Sequence, residues 1–239
     1  MLATYQSEVQ ALLQAPNSPQ PLVSEALLTS NINIARNQVA GEGECIRNYA
    51  TLIVGPSTQQ YPFSEITLAA NSPGVGAVLN VRKAARTIGI GPGQVRMFGR
   101  EFEWFENFVL AQSAPLPGPP RYWAQYGQGT GGTIFVSLPD GSYTLALDCV
   151  CLPVALQDDT TPEAIPELWQ DAVPYYAAWL SMQDLQRQAD AEIMMKRFED
   201  LMGRARRLAT PSVLPHQFAG GPDLVLQGRL GMQPGRQAQ

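Results

Sequence analysis

The chain has 239 residues, of which 45% are hydrophobic and 15% charged, with 16 Lys plus Arg against 21 Asp plus Glu for a formal charge of −5. About 25% charged residues is usual, so the sequence describes a folded chain rather than a disordered one, and its acidic balance disfavours electrostatic gripping of nucleic acid. No apolar run of about 18 residues could span a membrane, and the start Met1-Leu-Ala-Thr-Tyr-Gln-Ser-Glu lacks the pattern of a signal peptide.

These features predict a soluble protein made in the cytoplasm, with a surface so poor in charge that something is expected to cover it. In chain order, Thr4 can cap a short helix to about Gln14, with Tyr5, Val9, Leu12 and Leu13 on one face, before Pro16, Pro19 and Pro21 break it. Ser24 opens a second helix through Leu27, Leu28, Ala35 and Val39, stopping near Gly41 and Gly43. From Asn48 the period changes to two. Strands are predicted at Tyr49–Val54, Glu65–Leu68, Ala77–Val81, Arg121–Tyr126, Gly132–Leu138 and Ser142–Cys151, with Pro139-Asp140-Gly141 as a hairpin turn between the last two. Glu101-Phe-Glu-Trp-Phe-Glu-Asn-Phe reads as one or two helical turns within this β region.

After Pro153 the pattern returns to helix. Thr161-Pro162 and Ile165-Pro166 are possible starts, and Glu167–Gln183 carries a broad apolar face that Pro174 should kink or restart. A longer helix is expected over Asp184–Ala209, with Arg204, Arg206 and Arg207 in its last turns. Residues 210–239 hold five Gly and four Pro with little periodicity and read as an extended arm. The fold class is therefore α+β: a helical bundle from residues 1–47 and 159–209, a β-strand-rich insertion over 48–158, and a C-terminal arm over 210–239.

No catalytic, cofactor-binding or metal-binding residues emerge. Cys45, Cys149 and Cys151 are too few and wrongly spaced for a structural zinc site and read as buried free thiols, with Cys149 and Cys151 on one strand face. The single His216 has no Ser or Cys nucleophile to serve. Gly127-Gln-Gly-Thr-Gly-Gly precedes a strand rather than a helix, and Gly89-Ile-Gly-Pro-Gly loses an amide at Pro92, so neither cradles a phosphate. Asp158 and Asp159 are assigned to the N-terminal region of the following helix. Tyr122, Trp123 and Tyr126 read as core or interface, and Tyr175, Tyr176 and Trp179 as helix-packing residues. The chemistry of an enzyme is not present in this pattern.

Charge is segregated. Residues 66–100 contain five bases (Arg82, Lys83, Arg86, Arg96, Arg100) and no acid, whereas residues 122–186 contain eight acids and no base. The two segments either pair within one fold or stay solvated, or they form a basic and an acidic side that meet head to tail between copies.

Several stretches in order resemble the head-to-tail adaptor, or connector, proteins of tailed bacteriophages. They are Thr4-Tyr-Gln-Ser-Glu-Val-Gln-Ala-Leu-Leu, Val78-Leu-Asn-Val-Arg, Phe98-Gly-Arg-Glu-Phe-Glu-Trp-Phe, Pro120-Arg-Tyr-Trp-Ala-Gln-Tyr-Gly, Ile134-Phe-Val-Ser-Leu-Pro-Asp-Gly-Ser-Tyr-Thr-Leu-Ala-Leu-Asp, and Ala172-Val-Pro-Tyr-Tyr-Ala-Ala-Trp-Leu with Gln186-Arg-Gln-Ala-Asp-Ala-Glu and Arg204-Ala-Arg-Arg. The resemblance spans about residues 1–209. It implies a structural virion protein in the neck that joins the portal to tail or nozzle proteins. It also implies a homo-oligomeric ring, usually a dodecamer, whose channel passes DNA without sequence-specific binding. Neither a cofactor nor a membrane is implied. The arm after residue 209 matches nothing in the family pattern and is expected to dock on the portal. The alternative is another neck or tail ring that contacts tail proteins on both sides.

Overall fold

The computed structural model describes residues 1–13, 22–70, 72–87, 93–112 and 116–209. The expected arm over 210–239, His216 and the Gly89–Pro92 stretch lie outside them.

α1 (Leu2–Leu12) buries Leu2, Tyr5 and Val9 on one face, as its period requires. Its start corrects the sequence reading, because Thr4 lies inside the helix and caps nothing. The amine of Met1 and the amide of Ala3 instead donate to Asp159 Oδ1 at 2.8 and 2.9 Å. A residue 158 positions away thus satisfies donors that a helix N-terminus leaves orphaned. α2 (Glu25–Gly43) begins as expected at Ser24, whose Oγ accepts the Leu27 amide at 3.3 Å. It also ends where expected, at Gly43, with the left-handed exit on Glu44 at φ 46°. Gly43 meets a packing demand as well, since a Cβ there would sit 2.7 Å from the Trp169 ring.

The β elements follow in the order β1 (Arg47–Val54), β2 (Gln60–Pro62), β3 (Thr67–Leu68), β4 (Val75–Thr87), β5 (Gln94–Arg96) and β6 (Phe98–Gly99). After a helical turn, α3 (Phe102–Phe105), continued as a π-helix over Glu106–Leu110, come β7 (Tyr122–Tyr126), β8 (Thr133–Val136) and β9 (Tyr143–Pro153). They make a five-stranded sheet ordered β3-β1-β9-β4-β5 and a four-stranded sheet ordered β2-β8-β7-β6. β1 shows strict alternation, with Asn48, Ala50, Leu52 and Val54 buried and Arg47, Tyr49, Thr51 and Ile53 exposed.

The predicted hairpin at Pro139-Asp140-Gly141 is a second correction. β8 pairs with β2 and β7, whereas β9 pairs with β1 and β4, so the turn carries the chain from one sheet to the other. Its residues do bend the backbone, but partner choice went to burial. Leu145, Leu147, Cys149 and Cys151 of β9 are fully covered in the larger sheet.

α4 (Glu167–Gln170) begins after Pro166, α5 (Ala172–Asp184) holds Pro174 in its first turn, and α6 (Gln188–Ala209) follows a break at Gln186 with φ 59°. The continuous helix expected from Asp184 is therefore interrupted, and Thr161-Pro162 starts no helix. α5 packs against α1, α2 and α6. The inner faces of both sheets join the helices in one core, with Leu52, Val54, Leu145 and Leu147 from the larger sheet, Trp123, Ile134 and Val136 from the smaller, and Ile32, Val39, Ala177 and Phe198 from the helices. The fold is mixed α+β.

A polar clamp fixes the acidic connection between β9 and α4. Asn33 exchanges two hydrogen bonds with Leu156, its Nδ2 donating to the carbonyl at 3.1 Å and its Oδ1 accepting the amide at 2.8 Å. Buried Arg36 donates to the Glu163 carboxylate through Nη2 at 2.8 Å and Nε at 3.0 Å, and to the Val154 carbonyl through Nη1 at 2.8 Å. Glu163 in turn accepts the Ile165 amide at 2.9 Å. Such a fork-on-fork pair sets the geometry of the loop as well as its energy. The Tyr5 hydroxyl is buried beside this cluster with no hydrogen-bond partner among the described residues, and burial, reinforced by the charge of Glu163, pushes its pKa upward.

Candidate interaction surfaces

The residues first weighed for chemistry are placed as follows. Cys149 and Cys151 are buried in β9 and Cys45 is half-buried after α2, all three as free thiols. Burial is the main force that pushes Cys45 and Cys149 up to about 12 and Cys151 up to about 11. A raised thiol pKa means the neutral form is the native one. Its contribution to stability is complete below the ordinary thiol range near 8.5 and is lost as pH rises towards those values. Ellman's reagent at pH 8 will therefore find almost no reactive thiol in the folded protein and three after denaturation; fast labelling before unfolding would contradict this.

Asp158 accepts the hydroxyls of Thr160 and Thr161 at 2.7 and 3.0 Å and their amides at 3.0 Å, which holds its carboxyl below the usual carboxylate range. The amine of Met1 does the same for Asp159. These two acids thus serve their own loop and the start of α1, not the following helix as the sequence suggested. Both contributions are present at neutral pH and fade as pH falls through the lowered values. Trp123 lies in the core, Tyr122 is half-buried and Tyr126 exposed. Tyr176 packs on Trp179 and Phe198, with ring centroids 4.9 Å apart in each case. Gly127–Gly132 is a turn, with Gly127 and Gly129 at positive φ.

Among the described residues the two charged segments do not pair with each other: no ion pair joins a base of 66–100 to an acid of 122–186. Arg82 pairs with Glu44, Arg86 lies 5.3 Å over the Tyr143 ring and Arg100 lies 5.0 Å over the Trp104 ring. On the acidic side Asp148 pairs with Arg47, Asp159 with the N-terminus and Glu163 with Arg36. Each segment is thus partly neutralised, but by groups outside the other. Lys83 and Arg96 remain exposed with no acidic partner among the described residues.

Those two bases lie on the outer face of the larger sheet. Cross-strand register aligns Tyr49 with Asp148 and Asp148 with Lys83, and aligns Ala146 with Ala85 and Ala85 with Arg96. The small side chains of Ala85 and Ala146 leave a hollow of about 250 Å³ between Tyr49 and Arg96. Tyr49 is 76% exposed and Ile53 68%, so among the described residues nothing covers this strand face.

A second surface lies outside the smaller sheet. Phe102, Phe105 and Tyr122 close over Ala124 and Phe135 as a separate small core. Trp104 stacks on Phe108 at 5.2 Å and meets Tyr122 in a tilted contact at 5.5 Å, and Tyr122 meets Phe98 at 6.0 Å. The rim stays open, with Phe98 60% and Phe108 59% exposed beside exposed Glu101, Glu103 and Glu106. The sequence reading found this turn but not its role as a surface. The signal was there: four aromatic residues and three acids in eight positions, with no base.

At the end of α6, Arg206 donates to the Glu42 carbonyl and carboxylate at 3.2 and 3.1 Å, whereas Arg204 and Arg207 line a cleft with Arg197, Asp200 and Tyr175. Among the described residues no group of three His, Cys, Asp or Glu is arranged to hold a metal, and no helix is long and apolar enough to cross a membrane.

The described chain thus presents broad surfaces suited to contact with other proteins. Residues 2–215 match the SU10 adaptor protein family. The chain belongs to that family. No curated protein matches it.

Proposed function

We infer that this protein is a structural component of a bacteriophage virion, a head-to-tail adaptor that forms a ring in the neck, between the portal and the tail. The family match over residues 2–215 carries this reading. The protein acts through shape and contact without turnover. Residues 1–47 and 159–209 form the bundle that carries the β insertion of 48–158, and copies assemble as a homo-oligomeric ring, a dodecamer, around a channel through which the genome passes unheld. The acidic balance of −5 supports this, since a surface that repels phosphate lets DNA slide. The exposed apolar faces outside both sheets support burial by neighbours. Residues 210–239 are assigned to docking on the portal.

Native mass spectrometry with the purified portal tests the reading. A closed ring of this protein on the portal is expected, with weaker binding once residues 210–239 are deleted. A full-length chain that stays monomeric and binds neither portal nor tail components rejects the adaptor assignment, and unchanged portal affinity after the deletion rejects the role of the arm. A ring seated between tail proteins, seen in a density map of the particle, would move the protein to another neck or tail ring.

A further inference from the structure

Resting on the ring reading above, we propose that neighbouring copies join by docking the acidic aromatic knob of one, Glu101, Glu103, Glu106 and Phe108, onto the basic sheet face of the next, Tyr49, Ile53, Lys83 and Arg96. The two surfaces complement each other in charge. The stretch 101–112 holds three Glu and no base, and among the described residues none of the three carboxylates meets a cation. The sheet face holds Arg47, Lys83 and Arg96 against a single acid, Asp148, which Arg47 already engages. Unpaired bases on one surface and unpaired acids on another, in one chain, fit each other between copies.

They also complement each other in shape and polarity. The hollow beside Tyr49 is floored by Ala85 and Ala146 and rimmed by Lys83 and Arg96. Phe108 projects from the π-helical turn as its most exposed large apolar side chain, with Glu103 and Glu106 close in sequence. A ring seated in an apolar hollow, with opposite charges around it, is the arrangement of a well-packed interface centre and its polar rim. A second copy is the occupant these observations favour, because the knob and the face lie outside different sheets of the same chain. Every copy then offers one surface and accepts on the other, a heterologous contact that repeats around a ring. Like-charged knob-on-knob and face-on-face pairings are rejected by repulsion.

Two charge-reversed proteins test this, Lys83→Glu/Arg96→Glu and Glu103→Lys/Glu106→Lys, each made in the full chain. All four side chains are exposed, so circular dichroism and thermal unfolding should match the wild type. Native mass spectrometry is run on wild type and variants, alone and with purified portal. The wild type is expected to form rings in at least one sample. Each variant alone should lose at least tenfold in ring yield, and an equimolar mixture should recover it, because reversed knobs then meet reversed faces. Phe108→Ala should weaken assembly without rescue by either variant. Rings formed by each reversed variant alone, or loss of rings that mixing does not restore, overturn the knob-and-face contact and leave the ring reading standing. A wild type that forms no ring in either sample overturns both.

Discussion

Replacing Arg36 with alanine will lower the free energy of unfolding by about 3–5 kcal/mol, the cost of breaking a buried ion pair by removing one partner. The side chains of Arg36 and Glu163 are only 1% and 6% exposed. Without the guanidinium, the Glu163 carboxylate keeps the Ile165 amide as a partner but loses its counter-charge, and the Val154 carbonyl loses its donor. The penalty is that of an uncompensated buried charge, larger than the net worth of the pair. Urea unfolding followed by fluorescence gives the comparison, with the denaturant slope checked for constancy. Glu163→Gln should cost a similar amount, because it strands the cation instead. Arg36→Met combined with Glu163→Leu should be more stable than either single variant, since two apolar groups leave no charge unpaired. Single variants within about 1 kcal/mol of the wild type would mean that the clamp does not hold the loop.

Gly74→Ala is expected to cost about 2–5 kcal/mol, from about 1–2 for placing a Cβ at left-handed backbone and about 1–3 for the displacement it forces. Gly74 sits at φ 75°, and a Cβ there would lie 2.4 Å from the carbonyl oxygen of Pro162 and 3.3 Å from the amide of Ala164. Both are backbone atoms, so no rotamer change relieves the contact. The Gly74 carbonyl also accepts the Val154 amide at 2.8 Å. The turn before β4 and the loop before α4 are therefore fitted to each other at the same place that Arg36 clamps from α2. A Gly74→Ala variant should unfold at lower temperature, and its loop should be cut more readily by protease between residues 154 and 166. Wild-type stability and cleavage would show that the loop has room to move.

Much of the fold was legible locally. The Ser24 cap, the alternation of β1, the restart at Pro174 and the Arg-rich end of α6 each depend on residues within a few positions of one another, and all four were read from spacing alone. Of the nine described strands six were read, with ragged ends, whereas the short β2, β5 and β6 were missed. β4 in particular runs six residues beyond its predicted end, because its later residues pair with β9 and β5 rather than follow an apolar pattern of their own. Errors occurred where a residue's partner lies far along the chain. Thr4 looked like a helix cap, yet Asp159 serves the start of α1, and the turn chemistry at Pro139–Gly141 looked like a hairpin, yet β8 and β9 belong to different sheets.

The sequence by itself determined that this is a mixed α+β chain with segregated charge and a pattern resembling the connector family, because periodicity, capping and composition are properties of neighbours along the chain. Only the tertiary structure decided what the charges do. Arg36 finds Glu163 across 127 positions and Met1 finds Asp159 across 158. Lys83, Arg96 and the acids of residues 101–106 are left exposed outside two different sheets. Charge attraction falls with distance in space and is blind to distance along the chain, so a count of acids and bases by segment cannot tell a neutralised group from one still seeking a partner.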